Sequence, residues 1–180
     1  MPAESEFVGL AKQIADEILP APLIVQRGAA LLYQVTVDNK LALTVNVKHP
    51  RRGNSAFQTD LCVFDNVSED ILIPRVVMEF KTRITTHDVI TYSAKAAKHK
   101  QVYPYLRYGI IASGISAVPG RLFTHNEALD FCAAVGGLAG AGLRDFLATL
   151  LTLEVAASRR LEDIAYGKVS TRLFRTEIAI

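Results

Sequence analysis

Two carboxylates and a lysine are the residues of this sequence whose types and spacing suit a reaction. Glu79-Phe80-Lys81 closes the apolar run Ile71–Met78, and Asp60 lies inside the preceding apolar run Phe57–Phe64. Side chains alternate along a strand, so Glu79 and Lys81 leave one face of a sheet while Met78 and Phe80 leave the other. The same alternation groups Asp60 with Gln58 and Cys62. Pairing of the two runs would bring two acids and an ammonium to one surface. Hard oxygen ligands beside a compact cation are what Mg²⁺-assisted phosphodiester hydrolysis requires.

The acid-x-Lys spelling does not select the site by itself. Asp38-Asn39-Lys40 has the same pattern, but it falls between the apolar runs Leu31–Val37 and Leu41–Val47, where Asp-Asn is tight-turn chemistry. That triplet reads as a hairpin tip. Glu79 and Lys81 differ in context, with a β-branched run before them, an acid on the run before that and a helix after. The plainer reading is a solvated strand end.

The elements that must position these residues follow from periodicity. Phe7, Leu10, Ile14 and Ile18 predict an amphipathic helix over 6–19, stopped by Pro20 and Pro22. Residues 29–37 and 41–47 predict a hairpin, followed by the basic loop 48–55; 57–64 and 71–81 predict two further strands around a polar turn at 65–70. Thr85 or Thr86 caps a helix running from His87 to about Tyr103, ahead of Pro104. Tyr108–Ala112 is a short buried strand. Beyond Gly114 the expectation is mainly helical: Thr124-His125-Asn126-Glu127 spells a capping box for a helix over 128–135, and 143–166 is a long leucine-rich helix. The glycine-rich stretch 136–142 lacks the Lys-Ser/Thr ending of a phosphate loop and reads as an inter-helix hinge.

At 180 residues the chain fits one structural domain, with a core over 1–114 and a helical part over 115–180 packed on it. A net charge of +2 means that any nucleic-acid contact must come from local clusters of cations. Cys62 and Cys132 both lie in apolar stretches, and the histidines show no zinc-ligand spacing, so the expected setting is reduced and cytoplasmic. The first residues lack the basic start and apolar run of a signal peptide. The longest apolar stretch, 128–157, is broken by Arg144, Asp145 and glycines, so a soluble chain with no membrane partner is expected.

The succession of helix, strands with acids on the last two, helix and strand resembles the restriction-endonuclease-like superfamily, whose signature is PD-(D/E)-x-K. The resemblance covers about residues 5 to 112. Asp60 corresponds to the aspartate of the signature and Glu79 and Lys81 to its acid-x-Lys, with Thr59 where the proline would stand. Gln101-Val102-Tyr103-Pro104-Tyr105 is similar to the Gln-x-x-x-Tyr element of the RecB-like and phage-exonuclease branches, although Pro104 is awkward within a helix.

The resemblance implies an α/β fold (an α+β mixed sheet) with an αβββαβ core and a helical C-terminal extension. The implied activity is a Mg²⁺- or Mn²⁺-dependent deoxyribonuclease, an endonuclease of restriction or repair type. Asp60, Glu79 and the backbone carbonyl of Phe80 would hold the metal, and Lys81 would orient water or stabilise charge on the phosphate. A glutamate of the opening helix approaches the metal in many members; Glu17 is the choice here, with Glu6 the fallback. DNA would meet Gln101 and Tyr105, Lys95 and Lys98 on the helix after the catalytic strand, and Arg51 and Arg52 in the loop before Asp60. Cutting both strands would call for a homodimer. Two competing readings are a catalytically silent nuclease-like domain that binds DNA or a partner protein, and an unrelated α+β domain.

Overall fold

The computed structural model describes residues 4–173; the last seven residues of the expected helical C-terminal part lie outside the described residues. In chain order the elements are α1 (Glu4–Ile18), β1 (Leu23–Arg27), β2 (Ala30–Leu32), β3 (Ala56–Gln58), β4 (Leu61–Ser68), β5 (Ile71–Lys81), α2 (Thr86–Val102), β6 (Arg107–Ala112), α3 (Gly120–His125), β7 (Phe131–Ala134) and α4 (Gly140–Ala165). Five strands form a mixed sheet in the order β1-β4-β5-β6-β7, and β2 pairs with β3 in a separate two-stranded sheet. The β1/β4 and β4/β5 pairs are antiparallel, whereas β5, β6 and β7 run parallel. Helix α2 makes the crossover that a parallel β5–β6 pair requires.

Both faces of the sheet are covered, which explains the nearly unbroken apolar run of β5. On one face Phe7, Ala11 and Ile14 of α1 and Leu143, Leu147 and Leu151 of α4 pack over Val76, Met78 and Phe80. On the other, Val89 and Ala96 of α2 and Leu122 of α3 pack over Cys62, Val77, Tyr108 and Ile110. The fold is mixed α/β in three layers, and no helix of the described residues is long and apolar enough to cross a membrane.

Helix α2 begins as the sequence implies: Thr85 accepts from the Asp88 amide, and the Asp88 carboxylate accepts from the Thr85 amide in return. Pro74 sits within β5 where the β4 register slips between Val63 and Phe64, leaving Arg75 as the extra residue of a bulge. Arg75 is buried there, held by Asp65 at 2.6 Å and by Glu162 of α4 at 2.8 Å.

Four expectations are corrected. The predicted hairpin over 29–47 is not a pair of strands; only Ala30–Leu32 is extended, and it pairs with β3. Asp38-Asn39-Lys40 is nevertheless a turn, its Asp38 Oδ1 accepting the Lys40 and Ala42 amides beside a lone Val37–Leu43 bridge. The predicted strand 57–64 is two strands, broken at Thr59-Asp60 where the chain passes from the small sheet to the large one. Leu23–Arg27, to which the periodicity assigns no element, is a strand that pairs with β4. Finally, 128–135 is no helix. Asn126 Oδ1 accepts the Ala128 and Leu129 amides, and Ser93 Oγ accepts those of Glu127 and Ala128, so local side-chain acceptors take the amides that a helix would use. Residues 131–134 are strand β7 instead, so the glycine-rich stretch joins a strand to α4, not two helices.

Candidate active site

Strand β5 places Glu79 and Lys81 on the face covered by α2. Leu61 pairs with Met78 in the β4/β5 register, so Asp60, one residue earlier, comes opposite Glu79 on that same face. The contact is direct: the Phe80 amide donates to Asp60 Oδ2 at 2.8 Å. The backbone groups of Lys81 turn toward β6, where its carbonyl accepts the Ser113 amide. Alternation along the strand therefore turns the carbonyl of Phe80 toward Asp60.

Glu79 is 2% exposed. Its Oε1 accepts the Tyr108 hydroxyl at 2.5 Å and lies 4.0 Å from Lys95 Nζ. Burial raises its pKa to about 7; Tyr108 and Lys95 oppose the rise, while the charge of Asp60 adds to it. Two carboxylates thus share a partly desolvated site at the cost of holding one near half-protonation at neutral pH. Burial and then the Glu79 charge push the Cys62 thiol well up, so Cys62 is an inert core residue.

Lys81 Nζ meets Glu4 Oε1 at 3.1 Å and lies 5.6 Å from the centre of the Tyr92 ring, on which Lys95 also sits at 4.8 Å. Burial works against the Lys81 charge, but the Glu4 carboxylate and Tyr92 outweigh it and hold its proton more firmly than in free lysine. The opening-helix glutamate beside the site is therefore Glu4. Glu17 lies nearly four turns further along α1, about 20 Å at 1.5 Å per residue, and is paired with Arg144 of α4 and with Gln13. Glu6 is exposed in the first turn of α1. The helical pattern of α1 fixes its buried stripe without saying which end meets Lys81.

The expected DNA contacts divide into two groups. Lys95 belongs to the site. Lys98 lies 5.1 Å above the Tyr33 ring, and Arg52 lines a cleft of about 660 Å³ that also has Arg27, Phe57, Asp60 and Lys95 in its wall. Arg51 lies on a neighbouring hollow with His49 and Asn54. Gln101 and Tyr105 are not brought to Glu79. Helix α2 runs back from the β5 terminus, which carries Gln101 to the far end of the sheet, and buried Tyr105 packs its ring 5.3 Å from the Arg75 guanidinium. His99, on an apparently polar helix, is fully buried; its Nδ1 donates to the Leu32 carbonyl at 2.9 Å and burial lowers its pKa. The sequence offers no sign that Tyr108 holds Glu79 or that Arg27 lies near Asp60, because both reach the site only through the sheet order, and Glu4 reaches it only through the packing of α1.

Among the described residues no group of three or more His, Cys, Asp or Glu side chains gathers into a preformed metal cage. The set of Asp60, Glu79 and the Phe80 carbonyl is an all-oxygen, partial set, which suits a hard cation that keeps waters and shares itself with a substrate phosphate. The raised pKa of Glu79 comes first from burial, with the neighbouring charge of Asp60 a smaller addition. No protein-family model and no curated protein matches the chain.

Proposed function

We propose that the protein is a Mg²⁺- or Mn²⁺-dependent deoxyribonuclease of the restriction-endonuclease-like kind, an endonuclease of restriction or repair type. The observation that carries the reading is the meeting of Asp60 and buried Glu79 on one face, with Lys81 beside them and the Phe80 amide fixing Asp60. The main-sheet order α1, β1, β4, β5, α2, β6 supports it, being the αβββαβ succession that the sequence resemblance implies.

Asp60, Glu79 and the carbonyl of Phe80 would hold the cation, which supplies Lewis acidity toward a phosphodiester oxygen. The rest falls to the chain. Tyr108 and Lys95 both address Glu79 Oε1 and fix the orientation of the carboxylate. Tyr92, packed against both ammonium groups, keeps them apart from bulk water on one side. Lys81 exchanges Glu4 for the substrate, orients the attacking water and balances charge on the phosphate as it becomes pentavalent. One such site cuts one strand, so cutting both requires a second copy related by two-fold symmetry.

Incubation with supercoiled plasmid in Mg²⁺ or Mn²⁺, alongside Lys81→Ala, tests the reading. Nicking by the wild type and not by the variant is expected. Retardation of DNA without cleavage would replace it by a silent DNA-binding domain, and neither effect would overturn both.

A further inference from the structure

We infer that the cleft between the β2–β3 sheet and α2 is a groove for a single polynucleotide strand, which seats a base on the Phe57–Tyr33 ring pair and presents a phosphate to Asp60. The inference rests on the reading of Asp60 and Glu79 as a phosphodiester site, since Asp60 forms part of the cleft wall.

The charge of the wall suits a phosphate backbone. Arg27, Arg52 and Lys95 face the cleft, and Asp60 is the one carboxylate among its lining residues. Among the described residues neither arginine is held in an ion pair; Arg27 donates to the Ser5 hydroxyl at 2.8 Å, and Arg52 lies exposed in its loop. In a chain of net charge +2 these two arginines, with Lys95 between them and Glu79, are a local concentration of cations, the footprint expected of a backbone-tracking groove.

Phe57, the aromatic residue of the wall, together with Tyr33 stacked on it, decides between a strand and a duplex. Phe57 and Tyr33 stack with ring centroids 4.1 Å apart and planes 20° from parallel. Lys98 lies 5.1 Å above Tyr33 and 6.0 Å from Phe57, and Lys95 lies 5.9 Å from Phe57. The platform is held from behind. Fully buried His99 sets its ring edge-on to Phe57 at 5.8 Å while its Nδ1–H ties α2 to β2, and the Tyr33 hydroxyl donates to the Asn54 carbonyl at 2.5 Å. A fixed aromatic pair flanked by cations is the arrangement on which unpaired bases stack, whatever their sequence. Bases within a duplex offer only their edges. The cleft volume, about 660 Å³, is that of a site for a small extended ligand.

The experiment is fluorescence anisotropy of the full chain in EDTA, where cleavage cannot interfere, with labelled oligodeoxythymidylate, oligouridylate and a DNA duplex of the same length. At least one single strand should bind about tenfold or more tighter than the duplex, with affinity falling as salt rises, and the better of the two strands names the sugar. Combined Arg27→Ala and Arg52→Ala should flatten the salt dependence. Phe57→Leu, checked for an unchanged melting profile, should weaken strand binding by about tenfold at all salt concentrations; if it unfolds, Lys98→Ala on the exposed side of the platform should weaken it instead. Equal affinity for strand and duplex, or strand binding indifferent to all of these changes, overturns the groove. Plasmid nicking that persists with such indifference sinks the groove alone, whereas strand binding with no cleavage in Mg²⁺ or Mn²⁺ sinks the nuclease and leaves the groove.

Discussion

The Tyr108 hydroxyl on β6 donates to Glu79 Oε1 on β5 at 2.5 Å, inside a core where both side chains are buried. A hydrogen bond to a charged group contributes about 1.5–3 kcal/mol, and here it favours the ionised carboxylate against burial. Tyr108→Phe should therefore raise the Glu79 pKa further, moving the acid limb of the cleavage profile up by about one pH unit. A pH–rate profile of plasmid nicking checks this; an unmoved limb would show that Glu79 does not titrate in the reaction.

Glu79 also links stability to pH. Its pKa is raised from 4.5 to about 7 in the folded chain, so between those values the folded state holds a proton that the unfolded chain has released. Stability contributed by the neutral acid is complete below about pH 4.5 and is lost as pH rises to about 7, a loss of about 3 kcal/mol at 1.4 kcal/mol per unit. Glu79→Gln should therefore melt above the wild type by about 5–10 °C at pH 8 in EDTA, with the gap closing by pH 4. Calorimetry across that range decides, and a gap independent of pH would contradict it.

Divalent cations should reverse that penalty. Mg²⁺ binds ionised carboxylates, so millimolar Mg²⁺ should raise the wild-type melting temperature at pH 8 more than at pH 6. Asp60→Asn and Glu79→Gln should each abolish the shift, read by thermal melts with and without the cation.

Glu4 and Glu17 of α1 should separate in their effects. Glu4→Gln releases Lys81 from its ion pair and should change the nicking rate while altering stability by no more than ~0.2–1 kcal/mol. Glu17→Gln touches, among the described residues, Arg144 and Gln13 and should leave nicking unchanged. Parallel kinetics on the two variants, with urea unfolding, tests the assignment of Glu4.

At the far end of the sheet, Asp65 joins Arg75 to Arg159 of α4. Burial works against the Asp65 charge, but the hydrogen bonds from Arg159 and Arg75 prevail and lower its pKa. Its stabilisation is present above about pH 4 and is lost as acid protonates it. Asp65→Asn leaves buried Arg75 with Glu162 as its remaining counter-charge and should cost about 1.5–3 kcal/mol, whereas Arg159→Leu, on a half-exposed side chain, should cost less. Urea unfolding near neutral pH compares them.

Sequence legibility followed the strength of local signals. Strand β5 was plain because eleven residues, Ile71–Lys81, run almost unbroken through a sheet covered on both faces. Helix α2 was plain because Thr85 and Asp88 satisfy its first amides. The proximity of Asp60 to Glu79 was readable because alternation needs only the pairing of two runs. Strand β7 was not, because its four residues follow a spelling, Thr124 to Glu127, that elsewhere starts a helix, and Ser93 of the distant α2 joins Asn126 in diverting those amides. The fully buried side of α2 that hides His99 was equally illegible, since its cover is the β2–β3 sheet, built from segments 24 or more residues apart in the chain.

The break at Thr59-Asp60 has a thermodynamic meaning. The small sheet hangs on the large one by two short connections, one through Gly28, whose φ of +68° suits glycine, and the other through Asp60 itself. The carboxylate proposed to hold the cation is thus also a joint of the scaffold. If Asp60 holds a cation as proposed, a ligand that shifts the small sheet would alter the affinity for that cation, and the cation would alter the affinity for that ligand by the same factor.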